Sequence, residues 1–214
     1  MKNLILLLAV VISQAAFAQN KTLLKGTWSY PNAASGECLP DLTQETMLVM
    51  EAHGLTTKNI PFSKVQKIAD ALVLMDNLYG ARVDFFQGIQ IRLDKRFNHL
   101  GKQESDTKIV VGLKGSEFVN IYIHELSHKV GNSEKNGSKI YSQYNEFVTK
   151  RCLLTQYSKA SHGNGVRNEE FAEAFTGYLL MPKELLSGGA GCKMAHDFFA
   201  QRLFPAQRHV CKAK

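Results

Sequence analysis

Two histidines and a glutamate with regular spacing lie in the middle of the chain, in the segment "SEFVNIYIHELSHKVGN" (116–132). His124, Glu125 and His128 form the pattern H-E-x-x-H. On a helix, residues four apart share one face, so both imidazoles can bind one metal ion. Glu125 is rotated by about 100° and lies beside the ion, where it can move a proton between a water and a leaving amine. The pattern predicts a zinc site with Glu125 as general base, because zinc lowers the pKa of water and polarises a carbonyl.

The alternative is an ordinary helix with a polar face. The flanking residues favour burial, since Phe118, Ile121 and Leu126 supply apolar contacts. Buried imidazoles and carboxylates need partners, and a metal ion provides one. We therefore expect metal binding, and a third protein ligand must come from elsewhere in the chain.

One candidate third ligand follows the histidines closely. The string H-E-L-S-H-K-V-G-N-S-E has Gly131 three residues after His128 and Glu134 three residues later. This spacing resembles that of the metzincins, whose glycine bends the chain so that a later residue reaches the metal. Their third ligand is usually His or sometimes Asp, so Glu134 is a departure. Gly131 is equally well explained as the C-terminal cap of a helix.

The second candidate lies in the segment "NEEFAEAF" (168–175). Glu169 and Glu173 are four residues apart and share a helix face, amid Phe171, Ala172, Ala174 and Phe175. One carboxylate can bind zinc while the other accepts the free ring N–H of a ligand histidine. The apolar neighbours favour a buried face over a solvated one, and we favour Glu169 over Glu134.

H-E-x-x-H followed by this second segment resembles the gluzincin metallopeptidases. It is particularly similar to the catalytic domain of anthrax lethal factor and its relatives, over roughly residues 107–181. The resemblance implies a zincin-like single domain that hydrolyses peptide bonds. It implies that Glu169 is the third zinc ligand and that Glu173 supports the site from behind.

The resemblance also has a departure. The family has an oxyanion-stabilising tyrosine seven residues before the ligand glutamate, where this chain has His162. An imidazole can also donate a hydrogen bond to an oxyanion, and other gluzincins use histidine in this role. His162 is thus a candidate catalytic residue, with an ordinary loop histidine as the alternative and Tyr157 as a possible substitute. The other mature histidines, His53, His99, His196 and His209, lack metal-binding spacing and are interpreted as surface or core residues.

The elements that must position these residues are helices around a small sheet. Apolar periodicity and end signals predict strands at 89–93 and 108–113 and helices at 42–54, 63–80, 117–130, 138–157, 169–180 and about 190–204. This order indicates an α+β fold. The strand "KIVVGL" (108–113) is the best candidate for a sheet edge along which an extended substrate lies.

The N-terminus has the layout of a secretory signal peptide. Lys2 precedes an apolar run, and Ala16 and Ala18 form an A-x-A cleavage site, so residues 1–18 are expected to be removed. The apolar run is short for a retained membrane anchor, which is the alternative. Residues 19–214 then form one exported domain, periplasmic or secreted. An even number of cysteines suits two disulfides, and we favour Cys192–Cys211 and Cys38–Cys152.

The formal net charge is +7, and one of the positive charges, Lys2, belongs to the signal peptide. The basic residues are scattered, so a solvated basic surface is expected and no nucleic-acid partner. The sequence predicts a monomeric zinc metalloendopeptidase that acts on a peptide or protein and has no stable membrane anchor after cleavage. The alternative is a zinc-holding binding or inhibitory module with little or no peptidase activity.

Overall fold

A computed structural model describes residues 46–79, 84–155, 158 and 167–204 of the chain. The signal peptide, Cys38, Cys211, Tyr157, His162 and His209 lie outside the described residues. The helices are α1 (Thr46–Ala52), α2 (Phe62–Tyr79), α3 (Val119–Asn132), α4 (Ile140–Phe147), α5 (Asn168–Leu180), α6 (Pro182–Ser187) and α7 (Ala190–Phe198). The strands are β1 (Thr56–Lys58), β2 (Gln90–Asp94), β3 (Gly101–Ser105), β4 (Lys108–Gly112), β5 (Glu134–Lys135) and β6 (Ser138–Lys139). The fold is α+β, as predicted.

The main sheet has the strand order β1-β2-β4-β3 among the described strands. β1, β2 and β4 are parallel, and β3 pairs antiparallel with β4. The strand 108–113 was predicted to be an edge, and that prediction is wrong. β4 lies between β2 and β3, which explains its continuous apolar run, because a central strand is covered on both faces. The edge next to β4 is β3, whose polar sequence "GKQES" carries no apolar alternation.

The long predicted helices are confirmed to within a few residues, with one clear exception. The helix predicted at 138–157 extends only over α4, and a short hairpin of β5 and β6 precedes it. Asn136 and Gly137 form the hairpin turn with φ angles of 56° and 79°, the left-handed conformation that Asn-Gly favours. Beyond α4 the chain is irregular and passes close to α5, where the Cys152 backbone N–H donates to the Glu170 carboxylate. The α-helical part of the predicted last helix ends at Phe198, and a π-helix follows it over Phe199–Leu203.

The core lies on both sides of α3. On one side are the sheet and the apolar face of α2, and on the other α5 packs directly against α3. Aromatic rings fill the space between α4, α5 and α7 in edge-to-face and stacked contacts; they include Tyr144, Phe171, Phe175, Tyr178, Phe198 and Phe199. Such rings bury large areas and fix the relative positions of the helices. No helix in the described part of the chain is both long and apolar enough to cross a membrane.

The predicted disulfide pairings are corrected by the structure. Cys152, in the segment after α4, is bonded to Cys192 in the first turn of α7. Each favoured pairing required one of these two cysteines, so both are wrong. The aromatic packing of α7 beside α4 and α5 brings Cys152 and Cys192 together across 40 residues, a proximity that spacing along the chain does not reveal.

Candidate metal centre

Helix α3 presents His124 and His128 on the face that packs against α5. Both side chains are buried, and their ring centroids are 5.0 Å apart. Glu169, in the first turn of α5, lies opposite them. Its Oε2 is 3.2 Å from Nε2 of His124, and its Oε1 is 3.6 Å from Nε2 of His128. One donor atom from each of the three residues lies within 4.8 Å of the others, so this group could hold a metal ion.

The separations are close in size to those around a small tetrahedral ion. Ligand atoms held about 2.1 Å from such an ion lie about 3.4 Å from one another. Each oxygen of Glu169 approaches one imidazole at about this separation: Oε2 lies 3.2 Å from Nε2 of His124, and Oε1 lies 3.6 Å from Nε2 of His128. Two imidazoles and a carboxylate are also ligands that suit zinc and neighbouring transition metals.

The electrostatics of the group favour a cation. Glu125 and Glu173 are buried next to the three candidate ligands, so three carboxylates surround two histidines. Burial by itself lowers the pKa of His124, but its contacts with Glu169 and then Glu173 outweigh burial and raise that pKa to about 10. The carboxylates therefore favour a positive charge at this position. A bound metal ion would supply such a charge.

Each candidate ligand histidine has a partner behind it. Nδ1 of His124 lies 2.9 Å from Oε1 of Glu173, the position that the sequence predicted for this glutamate. Nδ1 of His128 lies 2.8 Å from the hydroxyl of Tyr141 on α4. Burial raises the pKa of Tyr141, so this hydroxyl keeps its proton at neutral pH. Tyr141 was not found by sequence reasoning, because it follows the H-E-x-x-H pattern by thirteen residues without a motif of its own.

Glu125 lies beside the three candidate ligands, and the residue is 3% exposed. Burial raises its pKa to about 7, against the opposing effect of His124 and of a hydrogen bond from the Gln103 backbone N–H. Gly101 packs against the same carboxylate: a Cβ atom there would lie 2.5 Å from Oε1 of Glu125. Edge strand β3 thus encloses Glu125, a contact that the polar sequence of β3 did not predict.

Glu170 is a second residue that sequence reasoning missed. Its side chain is fully buried and accepts hydrogen bonds from Arg151, from the Cys152 backbone N–H at 3.0 Å and from Arg167 at 3.1 Å. Successive helix residues point about 100° apart, so Glu170 anchors the start of α5 to the segment after α4 while Glu169 faces the histidines. The two adjacent glutamates in "NEEF" therefore have different surroundings.

The remaining candidates lie elsewhere. Glu134, the alternative third ligand, is exposed in β5 and does not belong to the His124, His128 and Glu169 group. His53 is buried and pairs with Asp76 at 2.9 Å, whereas His99 is exposed. His196 packs on the ring of Tyr178.

Comparisons with known proteins do not add to this geometry. No family model matches the chain, and neither a curated protein nor a solved structure matches it. The functional argument therefore rests on the site itself: a buried group of two histidines and a glutamate that could bind a metal ion, with a further buried glutamate next to it.

Proposed function

We propose that the chain is an exported zinc-dependent metallopeptidase of the gluzincin type, with a zincin-like fold. One observation carries the proposal. His124, His128 and Glu169 bring three donor atoms within 4.8 Å, and the buried carboxylate of Glu125 lies beside them without belonging to the group. A site that only held a metal would have no need of the further buried carboxylate of Glu125, which is costly to keep away from water.

Zinc is the metal that this arrangement favours. Two histidines and a carboxylate also occur in iron oxygenases, so the ligand set alone does not decide the metal. The i, i+4 histidines on one helix with a glutamate directly after the first are the arrangement of zinc peptidases. In that class the glutamate works as the general base of hydrolysis, which gives Glu125 a role.

The roles of the residues follow from their positions. Bound zinc would supply Lewis acidity, which polarises the scissile carbonyl and acidifies water. Glu125 takes the proton from the attacking water and delivers it to the leaving amine. The Gln103 N–H and the close approach of Gly101 keep the Glu125 carboxylate in one orientation. Glu173 and Tyr141 orient the two imidazoles from behind.

An extended peptide or a segment of a protein is the proposed substrate. β3 lies next to Glu125, and its outer edge pairs with no strand of the described chain. A peptide can add to such an edge through backbone hydrogen bonds, with its scissile bond directed to the site. The Cys152–Cys192 disulfide supports export, because disulfides persist in oxidising compartments.

Cleavage of a diverse peptide library by the mature, oxidised protein tests the proposal, with Glu125→Gln measured beside it. We expect the parent to cleave and the variant to lose roughly 10²- to 10⁴-fold in rate, as loss of a general base does. Zinc content measured by mass spectrometry should be the same in both proteins. Equal cleavage by the two proteins would show that Glu125 is not the general base. Zinc bound by both with no cleavage by either would favour a binding or inhibitory module.

A further inference from the structure

Gly131 lies inside helix α3, three residues after His128, and it neither bends the chain nor caps the helix. α3 continues to Asn132, and Ser133 follows it in an extended conformation. A glycine inside a helix costs about 1 kcal/mol relative to alanine. Its presence in a buried turn next to a candidate ligand indicates a role in packing.

The partner of Gly131 is the ring of Tyr141. A Cβ atom at position 131 would lie 2.2 Å from Cε1 and 2.3 Å from Cζ of that ring, far closer than two carbon atoms can approach. Tyr141 thus lies directly against the backbone of α3, in space that any larger residue would fill. Phe171 packs edge-to-face with the same ring at 4.9 Å, so the ring is held between α3 and α5.

This placement determines where the Tyr141 hydroxyl lies. The hydroxyl is 2.8 Å from Nδ1 of His128, and Nε2 of the same ring faces Glu169. A neutral imidazole that binds a metal through Nε2 carries its proton on Nδ1 and must donate it. The phenol oxygen accepts that hydrogen bond, which selects the tautomer and prevents rotation of the ring.

We propose that Gly131 and Tyr141 form a positioning pair that holds His128 in its metal-binding tautomer and orientation. The glycine provides the space, the tyrosine ring occupies it, and the hydroxyl holds Nδ1. This inference rests on the proposed function, since it requires His128 to be a metal ligand. It gives Gly131 a different role from both sequence interpretations.

Zinc affinity, measured by competition with a chromophoric chelator, tests the pair. Tyr141→Phe keeps the ring and removes only the hydroxyl, and we expect a 10- to 100-fold loss of affinity, the usual effect of losing such a partner. Gly131→Ala displaces the ring and should cause a loss in the same range. The Gly131→Ala/Tyr141→Phe double variant should bind zinc no more weakly than the weaker single variant, because both act through one hydrogen bond.

Two matched controls come from the neighbouring residues. Tyr144→Phe removes a hydroxyl from the same helix and from a ring that also packs on Phe171, but not one that contacts His128. Gly177→Ala adds a methyl group to the buried helix α5, where the nearest atom is the flexible end of Leu154 at 3.1 Å. Both controls should bind zinc as the parent does. Thermal midpoints of the metal-free Tyr141→Phe and Tyr144→Phe proteins measure any loss of stability separately from the loss of zinc affinity.

The outcomes distinguish this inference from the proposed function. If the parent binds zinc tightly and Tyr141→Phe binds it equally well, the positioning pair is overturned while the metal centre stands. If the parent binds no zinc, the metal centre itself fails and the pair fails with it. Tyr141→Phe decides the matter even if Gly131→Ala gives no folded protein. Additive losses in the double variant would overturn the link between glycine and tyrosine.

Discussion

The two sides of helix α3 do different work at the site. The helical side, α4 and α5, supplies Glu169 as a candidate ligand and places Tyr141 and Glu173 behind the two histidines. On the sheet side, strand β3 contacts Glu125 through Gly101 and the Gln103 N–H. It adds no side chain to the His124, His128 and Glu169 group. In the proposed function, ion binding and proton transfer would therefore depend on separate parts of the fold. Changes on the helical side should affect zinc affinity, and changes on the sheet side should affect catalysis with zinc retained.

The largest expected effect is on the helical side. Glu169→Gln removes the only carboxylate in the His124, His128 and Glu169 group, and measurable zinc binding should be lost. This loss is well beyond the roughly 100-fold expected for a partner behind a ligand. Glu134→Gln is the control, because Glu134 is exposed and outside the group. Chelator competition on both variants checks the prediction, and zinc loss in Glu134→Gln instead would reverse the choice of third ligand.

The next effect is on the stability of the helical side. Replacing both Cys152 and Cys192 by serine should lower the free energy of unfolding by about 4 kcal/mol, given the 40-residue separation of the two cysteines. Chemical denaturation measures this loss. Hydrogen exchange should rise in α5 and α7 more than in β2 and β4, since the disulfide ties α7 to the segment before α5. A uniform rise in hydrogen exchange across the molecule would contradict a separation between the helical side and the sheet side of α3.

On the sheet side, Gly101→Ala should reduce peptidase activity by about 100-fold, because a misplacement of about 1 Å at a catalytic group has this effect. The new methyl group would lie 2.5 Å from Oε1 of Glu125 and must displace the carboxylate. Zinc affinity should stay within about twofold of the parent, since no ligand moves. Lys102→Ala, an exposed change in the same strand, should leave both quantities unchanged. If Gly101→Ala lost zinc affinity together with peptidase activity, the division between a helical side that binds zinc and a sheet side that serves catalysis would be contradicted.

The smallest effect concerns the anchor of α5. Glu170→Gln keeps the size of a fully buried side chain but weakens its hydrogen bonds to Arg151, Cys152 and Arg167, at a cost of about 2 kcal/mol. Thermal denaturation of the metal-free protein checks the value. Glu146→Gln, an exposed change on α4, should have no measurable effect. An equal change in thermal midpoint in both variants would show that the hydrogen bonds of buried Glu170 do not stabilise the protein more than an exposed glutamate does.

Much of the fold was predictable from local patterns. The apolar spacing of α2, α3 and α5 predicted helices within a few residues of the observed bounds, and the alternation in β2 predicted a strand. β1 and β3 escaped prediction because they are short and polar, so their pairing partners define them as strands. The early end of α4 also depends on contacts distant in sequence, since the segment after it hydrogen-bonds to Glu170.

The sequence by itself determined which candidate site residues share one face of a helix. His124, Glu125 and His128 lie within five consecutive residues, and Glu169 and Glu173 lie within another five, so each set was visible without the fold. Only the tertiary structure decided which glutamate faces the histidines and that Tyr141 lies behind His128. It also decided that Gly131 and Gly101 provide space for neighbouring side chains, and that Cys152 pairs with Cys192. The physical reason is the range of the interactions: backbone periodicity acts within a few residues, whereas these contacts form only when separate elements pack together.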